Sequence, residues 1–420
     1  MADPARPKPT ITRAEWVLLG LLAAVQFTNV LDFVIVMPLA PAVKAELGIT
    51  SERFGHIVAA YGFGSFFGSL LAAKFLERFG RKTVMLAVYF GFTVSTLLCG
   101  LTTDYGLLVA CRALAGVFGG VVGVAVFAIV GDVFADYRRG TATGVVMSSF
   151  ALATIVGVPL GLGISETFGT LTPFIALAAL SAVVWVAAAV VMPPLPGHPE
   201  RKTSSLVALA TEPTHVLAYL FTITLVLGSF TVVPYIADSM VANAGQDPAN
   251  VKYVYMVAGL FTFVSMNVIG RLSDRYGKQQ VFRVMGGLAI VAALAITNLP
   301  VVSVWVATLV ATVFMVTTSG RMVPGQALIT ASAAPRNRGG FLSLNGAVQA
   351  MGMGLASLIG GALIGQNEAT GRLDGYPLVG LVSAASAVVS LILVGLLRSG
   401  EGTPVPVPTA EPMAVAAEAA

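Results

Sequence analysis

Apolar residues fill twelve runs of this chain, each long enough to cross a bilayer. A spanning helix needs about 20 largely apolar residues. The first six runs are Trp16–Ala40, Phe54–Phe75, Thr83–Thr102, Tyr105–Val130, Thr141–Glu166 and Leu171–Met192. After a polar, Pro-containing gap come Pro213–Met240, Tyr253–Gly270, Val281–Leu299, Val301–Ala331, Phe341–Gly365 and Tyr376–Leu397. The pattern predicts an all-α integral membrane fold of twelve transmembrane helices.

The polar positions repeat too. Glu77-Arg78-Phe79-Gly80-Arg81-Lys82 joins spans 2 and 3, and Gly270-Arg271-Leu272-Ser273-Asp274-Arg275-Tyr276-Gly277-Lys278 joins spans 8 and 9. Gly80 and Gly277 stand 197 residues apart, and a second landmark pair, Arg139 and Arg338, stands 199 apart. Such an internal repeat predicts two pseudo-symmetric six-helix bundles, a plan common among solute carriers. The expected division is a polar lead (1–13), an N-terminal bundle (14–192), a charged linker (193–212) and a C-terminal bundle (213–400). A Pro/Ala-rich tail (401–420) is expected to be disordered.

Composition fixes the solvent. Residues are 56% hydrophobic and only 10% charged, whereas soluble domains are about a quarter charged. Lipid must therefore cover most of the exterior. Of the 24 Lys and Arg, 18 fall on the termini, the linker and the turns that share their side of the membrane. The opposite side holds only Lys44, Arg53, Lys252 and Arg372, and Arg112 and Arg321 lie within spans. Basic residues mark the cytoplasmic side, so both termini are expected there, in a bacterial inner (plasma) membrane. The net charge of +4 is then a topology signal and not a nucleic-acid footprint. Ala40-Pro41-Ala42 resembles a signal-peptidase site, but the preceding stretch is too long for a secretory segment and contains Asp32. Cys99 and Cys111 fall within spans, and His56, His198 and His215 lack ligand spacing. No metal, cofactor, nucleophile motif or phosphate loop is called for, so an enzyme is not expected.

These landmarks resemble the major facilitator superfamily over nearly the whole chain. Gly270, Asp274, Arg275, Gly277 and Lys278 fit that family's signature turn; the first copy carries Ala73 and Glu77 where Gly and Asp are usual. Arg112-Ala113-Leu114-Ala115-Gly116 is similar to the family's intramembrane Arg motif. Gly157-Val158-Pro159-Leu160-Gly161 looks like the Gly-Pro motif of proton-coupled antiporters, with Val158 interposed. By these motifs the chain resembles the twelve-helix drug:proton antiporters and sugar-efflux permeases of that superfamily. The resemblance implies that spans 1, 4, 7 and 10 line a central cavity. It also implies that spans 2 and 11, and spans 5 and 8, form the sliding seam between halves.

Among acids, only Asp32 is read as lying deep in a span. A charge at the bilayer centre costs about 2.5–3.5 kcal/mol on insertion scales, so such a group faces a cavity or a partner. Gln26, Asn29 and Asp32, at i, i+3 and i+6, are expected to share a water-lining face. Burial disfavours a carboxyl's charge and a nearby guanidinium favours it; Arg112 is the expected partner. A group pulled both ways can exchange its proton with either side. The alternative is a static helix-packing contact, and for Arg112 a static bond to backbone carbonyls.

Arg321 has two open readings: a side chain snorkelling to headgroups, or a holder for an anionic substrate group. Further cavity candidates are Tyr61, Tyr235, Asn267, Gln326, Asn345 and Gln349. Gly64 and Gly68 in span 2, and Gly361 and Gly365 in span 11, have the small-xxx-small spacing of close helix contacts. Gly157, Pro159 and Gly161 should weaken span 5. The charged turns (Glu77, Arg78, Gly80, Arg81; Asp274, Arg275, Gly277, Lys278) are expected to form a cytoplasmic gate that closes when the far side opens.

The expected function is secondary active transport by alternating access, as proton-coupled antiport exporting a small organic compound. Asp32 and Arg112 would couple the proton, the coupling ion in the absence of any cofactor. Metabolite uptake, facilitated diffusion or a non-transporting sensor are the alternatives. The bilayer and a small-molecule substrate are the expected partners, nucleic acid is not, and the expected state is a monomer.

Overall fold

The computed structural model describes residues 12–134, 136–195, 206–333, 338–367 and 369–397, without the side chains of 73–78, 136, 137, 206, 207 and 338. Most of the predicted lead, the middle of the linker and the predicted tail lie outside the described residues.

Among the described residues, twelve helices are long and apolar enough to span a membrane: Arg13–Ile35, Ser51–Ala72, Arg81–Leu101, Tyr105–Val133, Arg138–Phe168, Thr172–Val191, Pro213–Ala242, Pro248–Tyr276, Lys278–Thr297, Val304–Ala331, Gly339–Leu363 and Tyr376–Leu396. We number them spans 1 to 12. Successive spans run in opposite directions, so Thr12, the linker and Leu397 share one end of the molecule, the linker end. The opposite end is the far end.

Several predicted boundaries are corrected by local chemistry. Span 1 stops at Ile35, and a separate helix, Ala40–Leu47, follows with Pro41 in its first turn. Span 7 is continuous only to Phe230, then tightens into a 3-10 turn at Val233–Tyr235 before Ile236–Ala242. Pro234 lacks the N–H that would continue the helix there. The same interruption at the far end of both first helices is a second mark of the repeat. In span 5, a π-turn over Ala153–Gly157 precedes Pro159, which stands in the first turn of Val158–Phe168. Gly365 is not in span 11; it begins a two-residue strand paired with Leu373–Asp374.

Among the described residues, three apolar clusters form the interior. One gathers Tyr89, Phe92, Val122 and Ile129 of the N-terminal half, and another Phe221, Phe282 and Phe341 of the C-terminal half. The third takes residues from both halves, including Ile35, Phe54 and Phe174 with Tyr235, Val254 and Tyr376. All three pairs of residues that mark this shared cluster lie toward the far end. The halves are therefore fused at the far end and keep separate cores at the linker end.

Candidate functional site

Asp32 is buried where spans 1, 3 and 4 meet. Its Oδ2 lies 2.8 Å from Arg112 Nη1, which also donates to the Asp32 carbonyl at 3.1 Å. Thr96 donates to Oδ1 at 3.0 Å. Both charged side chains are fully buried, at 0% exposure. The Arg112 guanidinium lies 4.5 Å from the centroid of the Tyr61 ring and 5.5 Å from that of Phe174. A guanidinium over an aromatic face is attracted by the ring's negative quadrupole. Tyr61 donates its hydroxyl to Asn29 Oδ1 at 3.0 Å, and Asn29 Nδ2 donates to the Gly119 carbonyl at 3.2 Å. Gly119 permits this: a Cβ there would lie 2.7 Å from Asn29 Oδ1.

The expected water-lining face of span 1 is corrected in this state. Asp32 and Asn29 are turned into the N-terminal bundle, and only Gln26 is partly exposed. Apolar packing of Phe174 and Tyr61 over the ion pair closes it off. Two donors of Arg112, Nε and Nη2, make no hydrogen bond among the described residues.

The other candidates disperse. Tyr235 is a closure residue and not a cavity residue. It is fully buried, donates to the Ser357 carbonyl at 2.6 Å, and meets Phe54 edge-on at 6.2 Å. Ser357 in turn donates to the Gly55 carbonyl, so Tyr235 belongs to the join between halves. Asn345 is a packing residue whose Oδ1 accepts from Thr222 at 2.6 Å. Asn267 is exposed and bonds its own helix at Phe263. Gln326 and Gln349 are half-buried. Arg321 does not snorkel: it is fully buried, donating from Nη2 to Ser229 Oγ at 2.9 Å and to the Leu225 carbonyl at 3.2 Å.

The seam is real, but other glycines form it. Gly64 and Gly68 face Ala113 and Val117 of span 4, within one half. Gly55 and Gly62 face span 11, where a Cβ on Gly62 would lie 2.8 Å from Gly354 N. Gly361 does reach the seam, against Ser51 and Tyr235. Gly157 and Gly161 pack on Leu31 and Ile35 of span 1; Gly259 and Thr154 make the contact between spans 8 and 5.

Of the expected gate, the Glu77 and Arg78 side chains lie outside the described residues. Arg81 reaches Asp132 at 2.9 Å inside the N-terminal half, and its N–H donates to the Leu195 carbonyl at the start of the linker, so neither contact reaches the C-terminal half. Asp274, Arg275, Gly277 and Lys278 are exposed. Gly277 has φ +93°, a conformation that favours glycine. Gly80 has an ordinary φ and is small because Leu195 passes close by.

Sequence reading missed Lys44 and Asp238. They pair at 2.6 Å across the halves, both nearly buried, and Ser51 accepts from Lys44 at 2.8 Å. Asp238 ends an apolar stretch, and Lys44 was one of few basic residues on its side; that isolation was the available signal. A surface recess of about 460 Å³ at the far end, bordered by Arg53, His56 and Tyr105, contains none of the proposed residues.

Two repeated six-span bundles fused at one end, with an ion pair buried among the spans, define an integral membrane transporter. The sequence model of the Major Facilitator Superfamily matches residues 22–317 and again 218–418. The chain belongs to that superfamily. It is 26% identical over 365 residues to the uncharacterized MFS-type transporter YceJ of Bacillus subtilis (strain 168), covering 85% of this chain and 91% of the relative. It is 28% identical to a chloramphenicol resistance protein of Streptomyces lividans, over 62% of this chain and 67% of that one. Its fold matches a bacterial homolog of the human lysosomal transporter Spinster, in an inward-facing and occupied conformation. The TM-score is 0.67 at 15% identity, covering 92% of this chain and 96% of that one.

Proposed function

We propose that this transporter is a proton-coupled antiporter that exports a small organic compound. The observation that carries the reading is the Asp32–Arg112 pair, 2.8 Å apart and fully buried. Burying two charges is costly, and breaking such a pair by removing one partner costs about 3–5 kcal/mol. A proton arriving on Asp32 does the same work reversibly. It neutralises the acid, frees the Arg112 guanidinium from its salt bridge and loosens the contact among spans 1, 3 and 4. Moving one charge through a potential of about 100 mV supplies about 2.3 kcal/mol, comparable with the change required.

The distribution of basic residues supports a cytoplasmic linker end in a bacterial inner membrane. On that assignment the fused end is extracytoplasmic, and this state receives substrate from inside. Resistance to chloramphenicol in a relative's name is in keeping with export. Everted membrane vesicles test the proposal: substrate accumulation should follow an imposed pH gradient and collapse with a protonophore. Entry that stops at the outside concentration whatever the pH gradient would instead identify facilitated diffusion, and gradient-driven release would identify uptake.

A further inference from the structure

Each half of the molecule aims a buried arginine at the same place on its first helix. The repeat offset of 197 carries Asp32 onto Ser229. In the N-terminal half Arg112 meets a carboxylate there; in the C-terminal half Arg321 meets neutral acceptors instead, the Ser229 hydroxyl at 2.9 Å and the Leu225 carbonyl at 3.2 Å. No ion pair reaches Arg321 among the described residues, and its Nε and Nη1 make no hydrogen bond. Thr318 Oγ1, one turn earlier on span 10, is also buried and unpartnered. Residues at i and i+3 share a helix face. The niche is shaped for the guanidinium, because a Cβ on Gly228 would lie 2.8 Å from Nη2.

An arginine does not shed its proton to escape burial, and an unpaired buried ion costs several kcal/mol. The half without an internal acid at this position thus presents a buried cation with free donors to an external one. We propose that Arg321, with Thr318 and Ser229, receives an anionic group of the transported compound, a carboxylate by analogy of chemistry with Asp32. The assignment rests on the transport reading and names its substrate class: organic acids. Span 7 ends its regular helix at Phe230, immediately beyond Ser229, so this wall of the niche lies beside a break in the backbone. The anion enters when spans 7 and 10 part.

The test is thermal unfolding of the purified full chain in detergent, titrated with salicylate and with salicylamide, which differ in charge but little in shape. Salicylate should raise the Tm and salicylamide should not. Ser229→Asp, which hands the guanidinium an internal carboxylate, should abolish the response, as should Arg321→Met. Equal shifts from acid and amide, no shift from either, or a salicylate response surviving in either variant would overturn the proposal. The measurement is made without a proton gradient, so the acid-selective shift is read without proton coupling. Failure of proton coupling and failure of anion recognition are thus read separately.

Discussion

Lys44 Nζ lies 2.6 Å from Asp238 Oδ2, and this buried ion pair ties the far end of span 1's half to the far end of span 7's half. The two residues sit on equivalent short helices, Ala40–Leu47 and Ile236–Ala242, which follow the interrupted first helices of the repeat. Ser51 completes the contact by accepting from Lys44. On the alternating-access reading the pair is a latch: opening the far end would expose both charges to water, and in the structure they satisfy each other.

Removing one side of the latch strands the other. Lys44→Met leaves Asp238 buried without its cation, at a cost of about 3–5 kcal/mol in the closed state. In the opened state the same acid would be hydrated, so the variant should shift the population toward far-end opening by about a hundredfold or more. Spin labels on the far-end loops should report a longer distance in Lys44→Met and in Asp238→Asn. The charge-exchanged double variant, Lys44→Asp with Asp238→Lys, should move the distance back. No change in either single variant would remove the latch.

Asp32→Asn keeps the size of the side chain and an oxygen for Thr96 but removes the charge that holds Arg112. On the antiport reading, transport by this variant should no longer respond to a pH gradient, while exchange of substrate for substrate continues. Counterflow in proteoliposomes alongside gradient-driven uptake makes the comparison. A variant that still concentrates substrate against a gradient would end the role given to Asp32.

Arg112 is held by the Asp32 carboxylate, the Asp32 carbonyl and two aromatic rings, Tyr61 at 4.5 Å and Phe174 at 5.5 Å. Lysine offers charge without the planar fork. Arg112→Lys should therefore lose most gradient-driven transport despite conserving charge. Tyr61→Phe should be milder, since it retains the ring and loses only the hydrogen bond to Asn29, worth about 0.5–1.5 kcal/mol. Melting temperatures should fall in the order wild type, Tyr61→Phe, Arg112→Lys.

Much of this architecture was legible because lipid imposes a simple rule. Every spanning backbone must satisfy itself within a helix, so apolar length alone exposed the spans. The repeated turn exposed the two halves, and the cost of a buried charge singled out Asp32 and Arg112. What stayed hidden depends on which way a side chain faces. Tyr235 looked like a polar cavity residue until the break at Val233–Tyr235 turned it into the join with spans 2 and 11. Gly64 and Gly68 had the right spacing and the wrong neighbour, because spacing identifies a close contact but not the helix that makes it. Asp238 sat at the edge of an apolar run and gave no hint of a partner 194 residues away.

That ambiguity between glycines can be turned into an experiment. Gly62 and Gly64 differ by two residues yet serve different contacts: Gly62 meets Gly354 and Ala350 across the seam, and Gly64 meets Ala113 within its own half. A methyl group at Gly64 would drive into the Ala113 carbonyl in every conformation, because spans 2 and 4 belong to one bundle. Gly64→Ala should thus lower the Tm and the yield of folded protein. A methyl group at Gly62 obstructs only the closed far end, where it would lie 2.8 Å from Gly354 N. When the halves rock apart, that obstruction disappears. Gly62→Ala should therefore fold but favour the far-open state, with increased labelling of a cysteine placed at Ser357. If the two variants behave alike in yield and in labelling, the seam has been drawn along the wrong face of span 2.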